Sequence, residues 1–260
     1  MSAINTNVSS LNPQRWLASS QSSLQTSMAR LSSGLRVNSA KDDAAGMAIA
    51  SKLETAQRGA TVGIRNASDA ISMSTMADGA LNNITTNLQR MRELAVQLSS
   101  GTVSGDADAV SAINAELDLL GGENLRIQGN TKFNGVDLIS IPNVTEVAIG
   151  DGTTVDFNTK GATATATNSA SALVPAIDID LQKFNALRAE YGATQNQFEA
   201  VVSNLQVNVE NLTAAKGRIM DTDYAVETAN LSRSQVLQQA GTAMVAQANQ
   251  MPQSVLSLLK

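Results

Sequence analysis

Cysteine and histidine are both missing from the 260 residues. Their absence removes disulfides, zinc sites built on those ligands, Ser-His triads and thiol nucleophiles together, and with them most familiar enzyme chemistry. Aromatic residues are scarce at 3% and prolines number four, a composition that suits long helices better than a thick globular core and predicts a rod. The net charge of −5 leaves no basic stripe for nucleic acid. No apolar run approaches the roughly eighteen residues of a membrane span, so no membrane insertion is expected. The opening MSAINTNVSSLNPQ has neither the basic nor the apolar region of a secretory signal, so a chain that leaves the cell is expected to leave by another route. No catalytic residue, cofactor or metal ligand is predicted.

Against these absences stands a stretch from Val226 to Lys260 that carries only three charged side chains, Glu227, Arg233 and Lys260. Its residues Leu237, Ala240, Met244, Ala248, Met251, Val255 and Leu258 step by three and four, the spacing that keeps an apolar seam in line along an α-helix. A lone helix buries none of that seam, while ordering its backbone costs about 1–2 kcal/mol per residue. The segment is therefore expected to be disordered alone and helical against a partner. The other end of the chain supplies one, because Leu17, Leu24, Met28, Leu31 and Leu35 recur on an equally polar background. One terminal helix covers only one side of the other, and the apolar surface left over asks for further copies of the molecule. An ordinary intramolecular bundle gives the same periodicity and stays open at this point.

Between the ends, Asn12-Pro13 reads as a helix start or as a kink in a longer helix. Gly34 is placed to close the first helix, and Ser39 with Asp42 resembles a capping box for the next. Helical text from Ala44 to about residue 100 has its best seam at Ile64, Ala67, Ile71, Leu81, Ile84, Leu88, Met91, Ala95 and Leu98, with weak positions at Ser74 and Asp78. A helix follows that meets Gly121 and Gly122, where a break or distortion is predicted, since each glycine costs about 1 kcal/mol relative to alanine. Asn134-Gly135 and Asp151-Gly152 between β-prone residues predict two hairpins, and KGATATATNSASA reads as a flexible connection. From Phe184 through Tyr191, Thr194, Phe198 and Asn208 to Ile219 runs the longest heptad. Asp221 or Thr222 is expected to cap the terminal segment. The acidic pairs Asp178 with Asp180 and Asp221 with Asp223 read as helix caps rather than calcium ligands. The predicted fold is mainly α: a long antiparallel helical bundle or coiled coil with a small β-hairpin tip and the termini paired as helices.

The stretches SSLNPQRWLASSQSSL, LSSGLRVNSAKDDAAGMAIA, NLQRMRELAVQ, KFNGV, YGATQNQFEAVVSNL and AGTAMVAQANQMPQSVLSLLK together resemble bacterial flagellin, in a short form without large outer domains. The resemblance implies residues 1–36 and 226–260 as an inner coiled-coil layer, 37–43 and 220–225 as spokes, 44–130 and 178–219 as the surrounding helical arms, and 131–177 as a hairpin-bearing tip. It implies a structural subunit that self-assembles into the extracellular flagellar filament, a propeller for swimming, with a hook-filament junction protein or an intracellular coiled-coil scaffold as alternatives. The implied partners are copies of itself, the flagellar export apparatus, a C-terminal export chaperone, and filament cap and junction proteins. A host Toll-like receptor is implied at Leu88, Gln89, Arg90, Glu93, Leu94 and Gln97 with Glu116, and a cytosolic immune receptor at Val255, Leu256, Leu258 and Leu259. Pro13, Trp16, Gly121, Gly122 and Gln197 depart from the family pattern.

Overall fold

The computed structural model describes residues 7–100, 106–139, 143–150, 152–159 and 170–257. Its helices are α1 (Val8–Ser33), α2 (Ala44–Ser99), α3 (Ala107–Asn130), α4 (Ala170–Met220) and α5 (Tyr224–Ser257). Two short hairpins lie between α3 and α4: β1 (Lys132–Phe133) with β2 (Val136–Asp137), and β3 (Asn143–Gly150) with β4 (Thr153–Thr159), both antiparallel. The chain divides into two compact units, one formed by residues 1–55 with 212–260 and the other by residues 56–211.

The larger unit is built on the predicted seam of α2. Ala67, Ala70, Met73, Ala77, Leu81, Ile84, Leu88, Met91, Ala95 and Leu98 form one buried stripe, against which pack Leu173, Ile177, Phe184, Leu187, Tyr191 and Phe198 of α4 and Ile113 and Leu117 of α3. The weak seam positions are reconciled locally. Ser74 is fully buried and donates its hydroxyl to the Ala70 carbonyl at 3.0 Å, and Asp78 pairs with Arg188 at 2.9 Å. With Arg92 bound to Asp178 at 2.6 Å, these pairs fix α2 and α4 antiparallel, because the higher number on one helix meets the lower on the other. Asp178 and Asp180 are thus mid-helix residues and not caps. Asp180 is buried beside Lys183 at 3.0 Å.

The expected break at Gly121 and Gly122 does not form; α3 runs through both. Asp106 caps its start, accepting from the Asp108 and Ala109 amides, and beyond the glycines Asn124 and Gln128 are buried. Asn124 accepts from Asn87 of α2 at 2.9 Å. Contacts on both sides of the pair outweigh a local cost of about 2 kcal/mol. The first hairpin turns on Asn134 and Gly135, both at positive φ (49° and 81°), the primed turn that such a dipeptide favours. The second carries Phe157, whose ring lies 6.1 Å from that of Tyr191 and 6.5 Å from that of Phe198. The low-complexity connection falls mostly outside the described residues.

Tyr191 is buried and donates its hydroxyl to the Leu138 carbonyl, holding the segment after β2 onto α4. Burial, helped by the charge of Glu190, pushes its pKa up to about 12 from 10.0. Above pH 10 an unfolded chain sheds this proton while the folded one keeps it. The contribution is therefore complete below about pH 10 and is lost progressively toward pH 12, amounting to about 2–3 kcal/mol. Urea midpoints measured from pH 9 to 12 are expected to fall in the wild type and to fall less steeply in Tyr191→Phe. Parallel slopes would assign the alkaline sensitivity elsewhere.

Candidate functional site

In the smaller unit α1 and α5 pack along their length. On α1 the residues turned toward α5 are Ser10, Pro13, Leu17, Ser20, Leu24, Ser27 and Leu31, all buried or half-buried. The helix begins at Val8, a turn before Asn12, so Pro13 lies inside it. Asn7, just ahead, donates its side-chain amide to the Ala248 carbonyl at 2.9 Å, tying the first turn to α5. On α5 the covered residues are Glu227, Leu231, Ser234, Gln238, Gly241, Val245 and Ala248, again at alternating steps of four and three. The α1 face alternates leucine with serine, and the α5 face carries Ser234, Gly241 and Ala248 among larger side chains; the small positions let the backbones approach closely. A Cβ on Gly241 would lie 3.2 Å from Leu17 Cδ1 and 3.8 Å from its Cα. The covered charges are Arg30 and Glu227, 3.8 Å apart, and Arg30 Nε has no hydrogen-bond partner among the described residues. A half-buried pair of that length specifies register more than it stabilises.

The terminal seam residues divide between two surfaces. Leu17, Leu24, Leu31 and Leu35 are half-buried in the smaller unit, and Ala248 is buried, whereas Met28, Leu237, Ala240 and Met244 face solvent. Trp16 is the most uncovered large apolar residue of α1, at 68%. Met251 and Val255 belong to α5, but their side chains, like Leu258 altogether, lie outside the described residues. The terminal helices are therefore folded against each other within one chain, and the α5 stripe is left largely bare.

A backbone clasp joins the two interruptions in the same unit. Gly34 closes α1 at φ 73°, with its amide donating to the Arg30 carbonyl at 2.8 Å. Leu35 and Asp221 then form an antiparallel bridge. The Arg36 amide donates to the Met220 carbonyl at 2.6 Å, and the Thr222 amide to the Gly34 carbonyl at 3.0 Å. With its backbone committed to the bridge, Asp221 does not cap α5; Asp223 does, accepting from the Ala225 and Val226 amides at 2.9 and 3.2 Å. The Ser39–Asp42 pair forms, but it closes the bend before α2, with the Asp42 carboxylate accepting from the Ser39 hydroxyl and amide and from the Asn38 amide. Those bonds, the Ser39 hydroxyl first, hold the Asp42 pKa below its usual 3.8. Asp43 caps α2 through the Gly46 amide at 2.8 Å.

On the larger unit, Gln89, Arg90, Glu93 and Gln97 are exposed on α2. Arg90 bonds Glu116 of α3 at 2.9 Å and Glu93 at 3.2 Å, and Glu116 is the larger cause of its raised pKa. Leu88 and Leu94, placed on the same receptor face by the resemblance, point instead into the core. They belong to the apolar stripe that steps by three and four past α3 and α4.

The sequence profile of the bacterial flagellin N-terminal helical region matches residues 4–143, and that of the bacterial flagellin C-terminal helical region matches residues 174–259. The chain belongs to the bacterial flagellin family. It is 40% identical to the flagellin of Halalkalibacterium halodurans over 273 residues, covering 99% of both chains. It is 35% identical to the flagellar filament 33 kDa core protein of Treponema phagedenis over 286 residues, again covering 99% of each. The crystal structure of Bacillus cereus flagellin superposes with a TM-score of 0.50 at 29% identity, over 54% of this chain and 88% of that one. As a flagellin the chain is a structural subunit of the filament outside the cell and not an enzyme. Among the described residues no helix is long and apolar enough to cross a membrane.

Proposed function

We propose that copies of this chain polymerise through their paired terminal helices into the tubular flagellar filament used for swimming. The observation that carries this reading is the inverted dressing of α5. A mixed face with Ser234, Gly241 and Ala248 is spent on α1, and Leu237 and Met244 are left uncovered, as are Trp16 and Met28 of α1. Covering large apolar side chains contributes about 1.5–3 kcal/mol each, so a second copy laid on these helices gains what one copy cannot reach alone. Residues 1–36 and 226–260 form the inner layer in this reading, 37–43 and 220–225 the spokes, 44–130 and 178–219 the outer arms, and 131–177 the tip. Family membership supports, as further parts of this reading, export through the flagellar apparatus, a chaperone on the C-terminal helix, and cap and junction proteins at the filament ends. A Toll-like receptor contact at Gln89, Arg90, Glu93, Gln97 and Glu116 is supported by their shared exposure and the Arg90 ion pairs.

Removing residues 226–260 is the direct test. Purified truncated subunits are expected not to lengthen filament seeds in turbidity or electron microscopy, while the larger unit keeps its helicity and thermal transition. Normal growth of the truncated chain would remove α5 from the assembly surface.

A further inference from the structure

In a chain without cysteine, the methionines hold all the sulfur, and they differ widely in exposure. Met73 and Met91, in the core of the larger unit, are each 7% exposed. Met28 on α1 and Met244 on α5 are 56% and 59% exposed, ahead of Met47 and Met76 at 39% and 45%. The most accessible described thioethers therefore sit on the two helices whose apolar surfaces await other copies. Met28 follows the buried Ser27, and Met244 precedes the half-buried Val245, so each flanks the covered α1–α5 seam.

We infer that Met28 and Met244 are oxidation sites that gate entry of a subunit into the filament: as thioethers they permit docking, and as sulfoxides they prevent it. The inference rests on the self-assembly reading above. A peroxide supplies the chemistry. The sulfur lone pair attacks one peroxide oxygen, the S–O bond forms as the O–O bond breaks, and the departing hydroxide takes up a proton as water. Sulfur loses two electrons and the peroxide gains them. The product carries a strong acceptor oxygen on a side chain that was apolar, and an apolar contact offers it no donor. Each sulfoxide is expected to slow docking about tenfold, a change of ~1.4 kcal/mol. Copies already incorporated have both sulfurs covered and keep them reduced.

The test uses the full chain. Free subunits are treated with hydrogen peroxide, the sites of added oxygen are mapped by peptide mass spectrometry, and elongation of untreated seeds is followed. Met28 and Met244 are expected to gain oxygen before Met73 and Met91, and elongation to fall at least tenfold in step with them. Met28→Leu/Met244→Leu, which keeps Met47, Met76 and Met251, is expected to elongate after the same treatment as fast as its own untreated subunits do. Met28→Gln/Met244→Gln is expected to elongate slowly without any peroxide. Oxidised wild-type subunits that elongate normally, or an equal loss in the leucine variant, would overturn the proposal. Untreated subunits that never elongate would instead overturn the assembly reading, and the gate with it.

Discussion

Gly63→Ala is expected to lower the melting temperature of the larger unit, whereas Gly79→Ala on the same helix raises it. A Cβ on Gly63 would lie 2.1 Å from the Ile149 carbonyl oxygen, 2.5 Å from its carbon and 3.0 Å from its Cα. The obstruction is backbone, so no rotamer relieves it. Strand β3 must retreat by about 1 Å to reach an ordinary carbon–oxygen contact of roughly 3.3 Å. That movement stretches the 2.7 Å bond from the Asn66 amide to the Ala148 carbonyl and loosens the packing of Val147 and Ile149 on the core. Overpacking of this kind costs about 1–3 kcal/mol and the hydrogen bond about 1 kcal/mol, against a gain of about 1 kcal/mol in helix propensity. The net is a loss of about 2 kcal/mol, or roughly 4–8 °C for a unit of this size. At Gly79 an added Cβ meets nothing within 4 Å, so only the propensity gain remains, worth about 2–4 °C. Circular-dichroism melts of the two variants beside the wild type decide the matter. Shifts of the same sign would mean that β3 does not rest on Gly63.

The contrast shows what the sequence makes visible. Periodicity located Ala67, the stripe from Leu81 to Leu98, the long α4 seam and both hairpins, because those signals are local and repeat, but before Leu81 it passed over Ala70, Met73 and Ala77 for the half-buried Ile64 and Ile71. It also marked Leu17, Leu24 and Leu31, which the structure turns toward α5. It did not reveal which face of α5 meets α1, because that face sets Leu231, Val245 and Ala248 among Glu227, Ser234, Gln238 and Gly241 and carries little hydropathy contrast. Close approach of two backbones selects small side chains, and a search for large apolar residues overlooks them. Long-range pairs were equally hidden. Nothing in the spacing of Arg92 and Asp178, or of Tyr191 and Leu138, announces that they meet. The glycine pair in α3 misled for the converse reason: its cost is local and legible, while the contacts that override it, such as Asn124 with Asn87, lie across the fold. The helix caps were displaced, Asp43 for Ser39 at α2 and Asp223 for Asp221 or Thr222 at α5, because several short polar residues compete at each break and the backbone bridge takes one of them.

Gly241→Leu carries the largest expected effect on assembly. The glycine lies where α5 comes closest to Leu17, and a single added methyl group already meets Leu17 Cδ1 at 3.2 Å. That atom is the end of a flexible side chain, so Gly241→Ala is absorbed by a rotamer change at Leu17, and elongation of seeds is expected to stay within about threefold of wild type, under 1 kcal/mol. A leucine has no such outlet. Its branch collides with Leu17 and, behind it, with the α1 backbone, so the helices must separate or rotate. Either movement parts the Asn7 amide from the Ala248 carbonyl at one end and Arg30 from Glu227 at the other. The exposed Trp16, Leu237 and Met244 lose their fixed geometry as the pair opens. Elongation by Gly241→Leu is expected to fall at least about a hundredfold, ~2.7 kcal/mol, while the larger unit melts at the wild-type temperature, because the atoms nearest an added Cβ at this position all belong to Leu17 of α1. Unaltered growth by this variant would mean that α1 and α5 part before subunits join, and that the pairing seen in the single chain is not the form that polymerises.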